Sequence, residues 1–110
     1  MNSLKDQLHE ISDESYQRWF DRWFEKENLE NAFIKSASKG YGGYQIKITD
    51  LYDDYLERRL NNVKIIGLLQ DKFPSLEIEI TKVNKSYYFL GNLQKRTKKY
   101  ISFSWRNLND

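Results

Sequence analysis

Residues 76–106 read LEIEITKVNKSYYFLGNLQKRTKKYISFSWR, and the fold turns on how this stretch is divided. Leu76, Ile78 and Ile80 alternate with Glu77, Glu79 and Thr81. Period two is the mark of a strand with one dry face. Ile101, Phe103 and Trp105 alternate with Ser102, Ser104 and Arg106 in the same way. Between them, Asn84-Lys85 suits a two-residue turn, without the glycine of the strongest hairpin signals. Tyr87 to Leu90 pairs back as a short strand, and GNLQKRTK, residues 91–98, forms a polar, basic loop. The expectation is an antiparallel meander of three strands.

Upstream, the period changes twice. Leu4, Leu8 and Ile11, then Tyr16, Trp19, Phe20, Trp23 and Phe24, recur at three- and four-residue steps, so residues 3–38 read as helix. Ser12-Asp13 offers a new start and Glu27-Asn28 a break, which leaves one bent helix or two or three shorter ones. Gly40 suits the residue after a helix end. Tyr44, Ile46 and Ile48 then alternate with Gln45, Lys47 and Thr49 as a strand. Asp50 is a plausible cap for a long helix carrying Leu51, Tyr52, Tyr55, Leu56, Leu60, Val63, Ile66, Leu69 and Phe73. Asn61-Asn62 and Gly67 weaken that helix and Pro74 stops it.

The order is α, then β-α-β-β-β. The β-helix-β unit crosses over right-handed and gives parallel strands. The expected fold is therefore α+β: a single domain over residues 1–110, in which a helical segment (1–40) packs on or extends from a four-stranded mixed sheet (41–106), with helices on one face. Ile46, Ile48, Leu56, Leu60, Leu69, Ile78, Ile80, Ile101 and Phe103 form the expected core.

Composition narrows the function. At 110 residues one core is expected. The apolar fraction is only 39%, but aromatics reach 15%, and each large ring buries roughly 150–250 Å². Without cysteine, disulfides, thiolate chemistry and Cys-ligated metals are excluded. The opening MNSLKDQLHEISDE is polar and acidic, unlike a signal peptide, and no apolar run approaches the roughly 20 residues of a membrane span. A soluble, cytoplasmic protein is expected.

The residue types of known catalytic sites are present without their spacing. His9 is the sole histidine and has no ligand partners. Asp50, Asp53, Asp54 and Glu57 share helical spacings, but acids in a first turn are favoured by the helix dipole alone. Glu77, Glu79 and Lys82 come near the acid-x-lysine strand of restriction-type nucleases; position 81 would have to be lysine and is threonine. Gly40, Gly42 and Gly43 precede a strand, whereas a phosphate-cradling loop follows one. No catalytic residue, metal or cofactor is expected.

Charge gives the strongest functional signal. Residues 1–31 hold four Lys/Arg against eight Asp/Glu, residues 32–79 seven of each, and residues 80–110 seven Lys/Arg against Asp110 alone. Lys95, Arg96, Lys98 and Lys99 cluster, with Tyr87, Tyr88 and Tyr100 nearby in sequence, of which Tyr88 and Tyr100 are the candidate contacts. Cations beside exposed rings suit nucleic acid or another anionic partner, through phosphate neutralisation and stacking. Trp19, Trp23 and Phe24 are the second signal, because tryptophan and aromatic rings dominate interface hot spots. A binding role in a monomer or homodimer is expected, with a protein or nucleoprotein partner ranked first and nucleic acid second.

The pattern Ala32-x₄-Ala37-x₂-Gly40, an alternating strand, a helix ending at Phe73-Pro74 and a closing Ile101-x-Phe103-Ser104-Trp105 resembles small proteins encoded by phages and prophages of Gram-positive bacteria. The resemblance covers about two-thirds of the chain and leaves out the long aromatic helix. It implies a host-cytoplasmic setting and a non-enzymatic role on a host protein or nucleoprotein, for example against a host defence system. It brings no catalytic residues.

Overall fold

Ser3 opens the described part of the chain by capping a long helix, its hydroxyl accepting from the Asp6 amide at 3.2 Å. The structure, a computed structural model, describes residues 3–106. The elements are α1 (Leu4–Glu27), α2 (Leu29–Ser38), β1 (Gly43–Lys47), α3 (Asp54–Leu60), α4 (Lys64–Lys72), β2 (Glu77–Phe89) and β3 (Asn92–Ser104). They fall into two compact units, Met1–Ala32 and Phe33–Asp110, so the division lies within α2.

In the first unit the helix runs unbroken past Ser12-Asp13 and ends at Asn28, whose φ of 48° is left-handed. Asparagine tolerates this region better than other side-chain-bearing residues, which makes it a natural break. Tyr16, Trp19, Phe20 and Trp23 are buried, and their rings contact one another along the helix: Trp19 stacks on Trp23 at 5.6 Å.

The second unit holds the sheet. It has three strands in the order β1-β3-β2, and both pairings are antiparallel. This corrects the expected four-stranded mixed sheet. Residues 77–89 and 92–104 form one long hairpin, so the supposed turn at Asn84-Lys85 lies mid-strand, with Asn84 opposite Thr97. The real turn is Leu90-Gly91, with φ values of 52° and 79°. Two positive φ values in a two-residue loop match the right-handed strand twist, and glycine takes its share without strain. The basic segment is consequently strand rather than loop. β1 and β2 run in the same direction, but β3 lies between them and bonds β1 along one edge and β2 along the other.

The long helix is also split. Asp53, not Asp50, is the cap, accepting from the Leu56 amide at 3.1 Å, and α3 ends at Asn61. Asn61 Nδ2 donates to the Ile48 carbonyl at 2.6 Å and to that of Glu57 at 2.8 Å, tying the break to the end of β1. Asp53→Ala is expected to cost about 1 kcal/mol, read as a lower urea midpoint, while Asp50→Ala should leave no cap unmade.

Ile78, Ile101 and Phe103 share the buried sheet face, joined by Ile48, Leu60, Ile65 and Leu69. Phe33 completes this core, its ring 4.8 Å from Phe103 and 5.0 Å from Phe73. Ile46 and Leu56 are half-buried, and Ile80, at 38% exposure, leaves the core. Gly43 lets β1 approach β3: a Cβ there would stand 2.5 Å from the Phe103 carbonyl oxygen.

Candidate nucleic-acid interface

The β2–β3 hairpin outlasts its third strand. β1 stops at Lys47, opposite Tyr100, and the chain beyond it holds only Lys99: the Ile48 amide donates to the Lys99 carbonyl at 3.0 Å, and the Lys99 amide to Thr49 Oγ1 at 3.2 Å. Among the described residues, the two strands pair only with each other from Val83 opposite Lys98 to Phe89 opposite Asn92. Seven such pairs at about 3.3 Å per residue make a ribbon roughly 20 Å long. Residues 82–97 are all exposed, so both faces of the ribbon are wet.

The register sorts the side chains. Alternate residues point to opposite faces. Tyr88, Lys82, Lys95 and Lys99 share the face that continues the core; Tyr87, Lys85, Arg96, Lys98 and Tyr100 share the other. The two tyrosines expected to act together, Tyr88 and Tyr100, are therefore on opposite faces and near opposite ends. Lys95 and Arg96 are exposed, whereas Lys98, Lys99 and Tyr100 are half-buried near the ribbon's root.

Two cation pairs face each other directly across the ladder: Lys82 opposite Lys99, and Lys85 opposite Arg96. Like charges in this position repel and destabilise a hairpin. No acid occurs between residues 80 and 106 to relieve them. Among the described residues, none of these six cations is in an ion pair. A neutral side-chain tie crosses the ribbon, the Thr97 hydroxyl donating to Asn84 Oδ1 at 2.8 Å.

The sequence reading left Lys82, Lys85, Phe89 and Leu90 out of this surface. A signal was present: Ile78 with Phe103, and Ile80 with Ile101, are both centred on Leu90-Gly91. Folding the two alternating segments onto each other puts the turn there.

The other candidate positions lie elsewhere. Trp19 and Trp23 are each 7% exposed and Phe24 is half-buried, so the tryptophans offer little free surface. His9 is exposed on α1. Asp53 is engaged as a cap, and Glu57 Oε1 accepts from the Leu51 amide at 3.1 Å. No group of three or more His, Cys, Asp or Glu among the described residues is arranged to hold a metal. No helix among them is long and apolar enough to cross a membrane. Comparison with protein-family models, curated proteins and solved structures finds no match.

Proposed function

We propose that this protein binds nucleic acid with the β2–β3 ribbon. The observation that carries the reading is the two directly opposed cation pairs on an acid-free ribbon exposed on both faces. Edge protection is served by a lysine on a strand's rim, but it does not call for cations opposite cations. Such an arrangement weakens the free hairpin and is relieved when phosphates come between the charges. Lys82, Lys85, Lys95, Arg96, Lys98 and Lys99 are the phosphate contacts, and a two-stranded ribbon is narrow enough to enter a groove of duplex DNA. This reverses the order expected from sequence, where a protein or nucleoprotein partner came first, because the tryptophans that would have met such a partner are buried.

The test is fluorescence anisotropy with a labelled duplex over a salt series. Six phosphate contacts on B-DNA give a slope of about −5 in log K against log salt. Lys95→Ala with Arg96→Ala should weaken binding to every sequence alike and make the slope shallower by about 2. An unchanged slope and affinity would remove the ribbon from the interface. A protein captured from lysate after nuclease treatment, and retained by the double variant, would restore the protein-partner reading.

A further inference from the structure

We propose that the ribbon tip is a wedge: Phe89 and Leu90 enter between stacked base pairs of duplex DNA and bend it. This rests on the reading above and adds what the tip does once the shaft is bound. From Tyr87 to Gln94 the chain carries no charge, although cations occupy both strands behind it. Leu90 is 87% exposed, Tyr88 77% and Phe89 61%, an apolar group that the fold leaves in water. Leu90 also takes a φ of 52°, a region suited to asparagine, aspartate or glycine in a hairpin turn. A leucine here is unfavourable for the backbone and unfavourable in water, and neither cost is returned by a contact within the described residues. Strained, exposed positions of this kind gather where a molecule engages a partner.

The chemistry of the tip and the spread of charge choose the occupant. A platform for single strands uses flat rings on which bases stack. Here the foremost residue is aliphatic, and aliphatic side chains act on nucleic acid as wedges between base steps. An anionic membrane would also accept an apolar tip. However, the cations run back along the ribbon from Lys95 to Lys99, so those at the root stand roughly 20–30 Å behind an inserted tip. That is two or more Debye lengths from a charged plane at physiological salt. A DNA groove is walled by phosphate along its whole course, so the same cations all find partners there.

The experiment uses the full chain and a duplex of roughly 30 base pairs, about one and a half turns of helix to either side of the tip, with donor and acceptor dyes at its ends and a central 2-aminopurine. Wild type should raise energy transfer, as the ends approach, and raise 2-aminopurine fluorescence, as a step unstacks. Leu90→Asn keeps a residue suited to the turn, so the hairpin remains folded, and Phe89→Ala removes the second half of the wedge. With both changes, energy transfer should return to that of free duplex while the salt slope stays at the wild-type value. A wild-type protein that binds with the full slope and no bend overturns the wedge but leaves nucleic-acid binding in place. So does a double variant that bends DNA as wild type does. Absence of any salt-dependent binding overturns both ideas, and tip-dependent binding to phosphatidylglycerol vesicles without a DNA bend replaces the wedge by a membrane contact.

Discussion

Phe103→Ala is expected to lower the stability of the sheet unit by about 3–5 kcal/mol. Phe103 is buried on the central strand, opposite Tyr44 on one side and Ile78 on the other. Its ring also meets Phe33 at 4.8 Å and Phe73 at 6.4 Å, so truncation removes the centre of an aromatic cluster drawn from α2, α4's end and all three strands' common face. Domains of this size have roughly 5–15 kcal/mol in total, so the loss approaches global unfolding. The measurement is a urea titration followed by circular dichroism. Ile80→Ala is the control: Ile80 faces the same way two pairs further along but is largely out of the core. Equal losses from the two variants would show that the buried layer has been assigned to the wrong end of the hairpin.

The second large effect has opposite signs in two assays. Lys82→Glu with Lys85→Glu turns both opposed cation pairs into opposite-charge pairs, with Lys99 and Arg96 as partners. The hairpin should become more stable, because a cross-strand repulsion is exchanged for an attraction. Amide exchange in residues 83–98 should slow accordingly. Nucleic-acid affinity should collapse, since the ribbon is left with four cations and two acids. The salt slope should fall from about −5 to about −2, which is roughly a thousandfold weaker binding at 0.1 M salt relative to an extrapolated 1 M reference. If the variant lost both stability and affinity, the weaker binding would reflect a damaged hairpin rather than missing charge, and the ribbon's role would not stand.

The parts of the fold legible in the sequence were those with a wet side and a dry side. The alternations around Ile46, Ile78 and Phe103 gave three strands, and the three-four spacing around Trp19 and Trp23 gave the helix. The ribbon could not be read this way. Residues 92–97 have water on both faces, so no apolar residue recurs at period two, and a polar strand looks like a loop. The fourth strand was an artefact of that blindness: once residues 91–98 are taken as a loop, Tyr87–Leu90 must be given a separate partner. Asp53 and Asp50 illustrate a smaller limit. Both are good capping residues three positions apart, and what separates them is Asp50's φ of 57°, a tertiary fact. The cations were found in sequence, but their opposition needed the register.

The position of β3 between β1 and β2 has a consequence for how the molecule is made. At roughly 5–20 residues per second, a ribosome takes about 3–11 s to go from the end of β1 at Lys47 to the end of β3 at Ser104. Through that interval β1, joined by β2 once Glu77 onward has been made, waits for its neighbour, because β1 and β2 do not pair with each other in the native sheet. Their half-apolar faces and open edges are then available to chaperones, or to other nascent chains. The strand that ends this exposure is the one that carries Lys95, Arg96, Lys98 and Lys99. Completion of the sheet and appearance of the paired cationic surface are thus a single event, and a chain stalled before β3 has neither.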